Sequence, residues 1–236
     1  MDALMISAAS GMKARMDSLD MLANNVANSN TAGFKADREF YNLYREQLPV
    51  VQTHWTDFSQ GVLTQTANPL NLALSGPGFF ALNGPNGVIY SRGGSFQISK
   101  ANQLVSDSGY ALRNAMDQGK PITVDATLPV TVTKDGTVMQ SGQMLGKLEI
   151  DQIAPAADTF EKLGNTYFAL SDPLAKMQPA TNAEVQQGYL EQSNVPVADS
   201  AVRLVSVMRQ FDMLQRAINV GTQMDRAAIQ DVAKPS

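Results

Sequence analysis

The sequence of 236 residues has no cysteine, a single histidine (His54) and a single tryptophan (Trp55). Without cysteine there are no disulfide staples and no thiolate metal sites, as suits a chain that passes through, or works in, an oxidising compartment. One histidine removes His-based metal clusters and disfavours a histidine-dependent nucleophile. Charge is sparse as well: 17% of residues are charged and the formal net charge is -4. That mildly acidic balance exerts no pull toward nucleic acid or an anionic membrane surface, so neither is expected as a partner. No cleavable secretion signal is expected, because Asp2 is acidic where a basic region belongs, and Lys13 and Arg15 break the apolar run. The long uncharged stretch from Phe58 to Ser91 is rich in Gly, Pro, Asn and Gln, which rules it out as a spanning helix, so no membrane insertion is expected.

What the chain does have is two long apolar stripes at its ends. From Asn194 to about Ile229, Leu204, Phe211 and Ile218 fall seven apart, and Val207, Met208 and Leu214 fill the intervals. This is a helix with a seam toward a partner helix, roughly 45–50 Å long. Asn194 is placed to cap it and Pro196 to sit in its first turn. Val202 and Val205 lie off the seam, so more apolar surface is present than one partner covers. At the other end Met5, Met12, Leu19 and Val26 also repeat every seven residues, with Leu22 widening the stripe over about Ala3 to Ala27. The economical solution is that the two terminal helices pair with each other as a coiled coil. Asn24 and Asn25 weaken the last turn of the first helix, and Asn28, Asn30 and Gly33 end it.

Between the helices the period changes. Asp37 to Gln47 reads as a short helix with Phe40, Leu43 and Tyr44 on one side, and Val50 to Gly61 as an extended linker. From Leu63 onward many short apolar runs are divided by Gly, Asn and Asp, among them Leu70–Leu74, Phe79–Leu82 and Tyr167–Leu170. Val130 to Val138 is a hairpin in which Asp135-Gly136 supplies the turn, both residues being expected at positive φ. The whole is α+β: 1–33 as the first helix, 34–62 as linker with a short helix, and 63–170 as an all-β region of antiparallel sandwich or open-barrel type. A return linker covers 171–186, and the second helical segment 187–236.

The chemistry expected of an enzyme does not assemble from this pattern. Gly76-x-Gly78-x-x-Ala81 matches a dinucleotide fingerprint formally, but strand and turn residues follow it instead of a helix. Carboxylates are scattered (Asp37, Glu39, Asp107, Asp117, Asp125, Asp135, Glu149, Asp151, Asp158), and sequence selects no pair of them as acid and base. Arg203, Arg209 and Arg216 read as a solvated helix flank. No catalytic residue, cofactor or metal ligand is assigned.

Four stretches carry a resemblance. Leu22 through Lys35, with Asn24, Asn25, Asn28, Asn30, Gly33 and Phe34, is similar to the N-terminal signature of the bacterial flagellar rod and hook proteins. Asn68-Pro69-Leu70 through Gly76-Pro77-Gly78-Phe79-Phe80 and Tyr90-Ser91-Arg92-Gly93-Gly94-Ser95-Phe96 resemble the middle of that family, although Gly93 stands where Asp or Asn is usual. Gln187 through Val195 resembles the stretch before its C-terminal helix. The matches occur in the right order, so the resemblance covers essentially the whole chain. It implies a structural subunit of the flagellar basal-body rod, not an enzyme, that assembles with copies of itself and with other rod proteins above and below. It further implies export by the flagellar type III apparatus and terminal helices that order on assembly. The short interval from Lys35 to Gly61 favours the proximal type of rod protein over the distal type. Without the resemblance, a secreted or surface β-domain enzyme and a helical adaptor are the competing readings.

Overall fold

The computed structural model describes residues 3–41, 51–152, 160–164, 166–171 and 177–232. It is α+β and divides into two compact units. The first comprises residues 1–27, 36–57 and 195–236, and the second comprises residues 28–35 and 58–194.

The first unit holds helix α1 (Ala3–Ala27), strands β1 (Asp37–Tyr41) and β2 (Val51–Thr56), and helix α2 (Val197–Val232). At 25 and 36 residues the helices are about 37 and 54 Å long. They pack against each other: Met21 and Leu22 of α1 cluster with Val207 of α2, with Leu19 and Leu204 at the margin. Farther along, the Cβ position of Gly11 lies 3.6 Å from Leu214, so the helices run antiparallel.

α1 ends at Ala27, where the asparagines place its end. α2 begins at Val197, and the Pro196 carbonyl accepts its first bond, from Ser200 N–H at 2.9 Å. The Asn194 side-chain amide donates to the carbonyl and hydroxyl oxygens of Ser59, each at 3.1 Å. Asp199 in the first turn complements the positive end of the helix dipole.

The short helix expected from Asp37 is instead the strand β1, and the linker expected from Val50 contains the strand β2; residues 42–50 lie outside the described residues. The two strands pair antiparallel, Asp37 opposite Thr56, with a register shift between Phe40 and Tyr41. The spacing of Phe40, Leu43 and Tyr44 fits a helix, but Val51, Thr53, Trp55 and Thr56 favour a strand, and the pairing they offer overrides the local preference.

In the second unit the central antiparallel pair is Phe79–Gly84 with Gly87–Ser91, Leu82 opposite Ile89. Tyr167–Leu170 extends the sheet beyond Gly87–Ser91, and Ala111–Leu112 beyond Phe79–Gly84. Both faces are buried. Phe80 and Leu82 point into a core with Leu74, Leu104, Leu112 and Leu148, while Phe79 and Ala81 point into a second cluster with Tyr90 and Phe168. That explains the unbroken apolar run Phe79–Leu82. Gly76 and Gly78, at φ +101° and +142°, lead into this strand and open no helix. The 130–147 segment forms its own three-stranded antiparallel sheet. Only Gly136 of its first turn has positive φ, because Gly136 N–H bonds Thr133 C=O and the loop takes a longer path than a two-residue turn. Two strands of the returning chain, Glu184–Gln187 and Tyr189–Glu191, pair with Leu72–Ser75 and Leu63–Gln65. Part of the expected return linker is therefore sheet.

Candidate functional site

Two constellations stand out, one in each unit. The first is the face between α1 and α2. Along α2 a covered line runs through Ser200, Leu204, Val207, Phe211, Leu214, Ile218 and Gly221, spaced alternately four and three apart, with Gln210 and Thr222 partly covered beside it. The structure thus places Leu204, Val207, Phe211, Leu214 and Ile218 on one line facing α1. Met208 is 52% exposed and lies off it. Along α1 the fully covered line is Gly11, Ala14, Ser18, Met21, Leu22 and Asn25. Met12, Leu19 and Val26 are half-buried beside it, one residue round from the seam the heptad spacing suggests; the Met5 side chain lies outside the described residues. The rotation has a cause: α1 is also covered by β1. Ser18 Oγ donates to Glu39 Oε2 at 2.5 Å, and Asn25 brackets Asp37, donating to its carbonyl at 2.8 Å and accepting from its N–H at 3.0 Å. Small residues facing α2 let the helix backbones come close.

α2 also carries a second apolar line. Val202, Met213, Val220 and Met224 are 55–70% exposed. At 100° per residue they fall within a narrow sector opposite the seam. Arg203, Arg209 and Arg216 lie exposed on the same helix and form no ion pair among the described residues.

The second constellation joins the motif stretches inside the other unit. Asn28 closes a turn, its carbonyl accepting from Thr31 N–H, while Asn30 is exposed, as is Asn24 on α1. Gly33 (φ +72°) brings the chain against the Arg92–Gly93 backbone, and its N–H donates to Glu191 C=O at 2.7 Å. Phe34 is fully buried with the Lys162 ammonium 4.2 Å from its ring centre. Next to it, Lys35 Nζ lies 2.6 Å from Glu191 Oε1, both side chains at 0% exposure. Glu191 Oε1 also accepts from Gly61 N–H at 2.9 Å, and Oε2 from Arg92 Nη1 at 3.0 Å. Lys35 donates further to Ser59 C=O, and Arg92 to Leu74 and Gly76 C=O. Two cations thus share one carboxylate, and backbone carbonyls balance the remainder. Burial lowers the Arg92 pKa, and Glu191 opposes that shift. Lys35, Arg92 and Glu191 were not singled out from sequence, although each sits in a motif stretch. Nothing local marks a charge as buried.

A third feature bears on chemistry. A cleft of about 590 Å³ is lined by Arg113, Lys147, Glu149 and Asp151 among others. Arg113 Nε holds Glu149 at 2.9 Å. Asp151 has its pKa raised to about 6 by burial and then by Glu149. Neighbouring Tyr90 is pushed up to about 12 by burial, then by Asp151 and Glu149. Among the described residues no three His, Cys, Asp or Glu side chains are grouped to hold a metal ion.

Comparison with known families gives three matches in chain order. Residues 5–35 match a model described as flagella basal body rod protein, residues 73–140 the flagellar hook protein FlgE/F/G D1 domain, and residues 186–231 the flagellar basal body rod FlgEFG protein C-terminal. The chain is similar to the flagellar basal-body rod protein FlgF of Caulobacter vibrioides, with 32% identity over 92% of this chain and 92% of that protein. It is 30% identical to FlgF of Mesorhizobium japonicum, covering 82% of this chain and 83% of that one. Identity to the flagellar basal-body rod protein FlgG of Buchnera aphidicola subsp. Schizaphis graminum is 27%, covering 91% and 94%.

Proposed function

The chain belongs to the flagellar basal-body rod protein family, and we propose that it works as a proximal-type subunit of that rod, polymerising through its terminal helices into the shaft that carries torque from motor to hook. The observation that carries this reading is the two-sidedness of α2, one line on α1 and a second apolar line exposed opposite. A surface that binds a different patch on the next copy does not close on itself and propagates as a helical filament. The alternating four-and-three spacing supports a coiled-coil pairing of α1 and α2. The antiparallel sheets are read as a sandwich.

Taking FlgF as the proximal and FlgG as the distal type, two comparisons favour the proximal type. The alignment with the Caulobacter FlgF spans 232 positions, whereas that with the Buchnera FlgG spans 255, more than the 236 residues here, as expected if the distal type carries insertions. The distal type is the second reading. In this proposal the assembly contacts are Met5, Met12, Leu19, Leu22 and Val26 on the first helix and Leu204, Val207, Met208, Phe211, Leu214 and Ile218 on the second, which pair the helices, together with the exposed line Val202, Met213, Val220 and Met224, which meets the next copy. The partners are copies of the chain, rod proteins above and below, and the type III apparatus that exports it unfolded to a rod spanning the periplasm.

Sedimentation of the purified chain over a concentration series tests it. Open-ended growth is expected, and Met213→Glu with Val220→Glu should suppress it while helix content is retained. A single closed species of fixed stoichiometry, or growth indifferent to those substitutions, refutes it.

A further inference from the structure

The charged cluster Lys35–Glu191–Arg92 has a place in the chain that the rod reading does not use. Lys35 and Glu191 are 156 residues apart, yet in contact and fully buried. α1 ends at Ala27, eight residues before Lys35, and α2 begins at Val197, six residues after Glu191. Both tethers are short, at most about 3.5 Å per residue. Where the cluster is closed, the two helices are tethered eight and six residues from one shared contact.

We propose that this cluster is a clasp that makes α1 pair with α2 of its own chain and not with that of a neighbour, Glu191 being the positioning residue. This rests on the rod reading only in supposing that many copies compete for each other's helices. Held by two short tethers, α2 meets its own α1 at the high effective concentration of a short-linker pair. With the clasp open, the two tethers are held only by main-chain bonds such as Gly33 N–H to Glu191 C=O and by the pairing of Tyr189–Glu191 with Leu63–Gln65, so closure is less favourable and exchange of helices between chains becomes competitive. Charge suits this role better than an apolar contact: a lone buried Glu191 or Lys35 is costly, so partial closure is disfavoured and the register of the three segments is unique.

The absence of cysteine allows a direct test. Chains carrying both Leu22→Cys and Val207→Cys report own-chain pairing as an intramolecular disulfide. Equal mixtures of differently tagged single-cysteine chains report pairing between chains. Both are refolded and oxidised at a concentration where the chain sediments as a monomer, so the outcome does not depend on polymerisation. Opening the clasp with Glu191→Ala should raise the between-chain to own-chain ratio at least tenfold. Leu148→Ala, which weakens the same unit away from the cluster, should leave it within twofold. If Glu191→Ala abolishes folding of that unit, the triple variant Lys35→Met, Arg92→Met, Glu191→Met removes the charges without stranding one, and the same tenfold rise is expected. An unchanged ratio in the folded variants, or an equal rise with Leu148→Ala, overturns the proposal.

Discussion

Gly33 and Gly93 meet backbone to backbone: a Cβ on Gly33 would stand 2.2 Å from the Gly93 nitrogen. Gly33 also holds φ at +72°, where a side chain is strained even with room to spare. Gly33→Ala is expected to destabilise the β unit by about 3 kcal/mol or more, since the obstruction is backbone and cannot swing aside. Urea unfolding followed by near-ultraviolet circular dichroism measures it; a loss of less than ~1 kcal/mol would mean the approach is looser than described.

Asp151 makes stability depend on pH. Its folded pKa is about 6, above the ordinary value of about 3.9. Between those values the folded chain binds more protons than the unfolded one, so stability falls as pH rises from 4 to 6 and stays lower above. Asp151→Asn should flatten that slope and add about 1 kcal/mol at pH 7.5, a figure discounted because the cleft is open to water. Thermal unfolding at pH 4.5 and 7.5 checks it: an equal shift at both would remove Asp151 as the source.

Asn25 is 4% exposed and ties α1 to both backbone groups of Asp37. Asn25→Ala leaves a donor and an acceptor unmet, at a cost of about 2 kcal/mol. Amide exchange should quicken at β1 and the end of α1 and remain unchanged at Phe79–Gly84.

Phe211 sits at the middle of the α2 seam. Phe211→Asp places a carboxylate among apolar contacts and should abolish concentration-dependent assembly while leaving the near-ultraviolet spectrum of the β unit intact. Assembly at the parental concentration would mean the seam plays no part in it.

Residue pattern disclosed some of this architecture and concealed some. The end of α1 at Ala27 was legible because Asn28 and Gly33 act locally. The α2 seam was legible because Leu204, Phe211 and Ile218 meet one kind of neighbour. The α1 seam was displaced by a residue, because Ser18 and Asn25 answer to β1 as well as to α2, and heptad spacing assumes a single partner. Strand β1 was hidden because its partner β2 begins ten residues away and is itself weakly patterned. The ionic cluster was illegible for a plainer reason: Lys35, Arg92 and Glu191 are ordinary surface residues until chain segments distant in sequence enclose them.

One consequence of the helix lengths remains. With Gly11 beside Leu214 and the helices antiparallel, Ala3 falls near residue 222, so about ten residues of α2 overshoot its companion. That overshoot is a tenon some 15 Å long. In the rod proposed above, it is the piece that would reach toward the storey beyond. Shafts with interlocked storeys resist twisting where butt-jointed discs would slip.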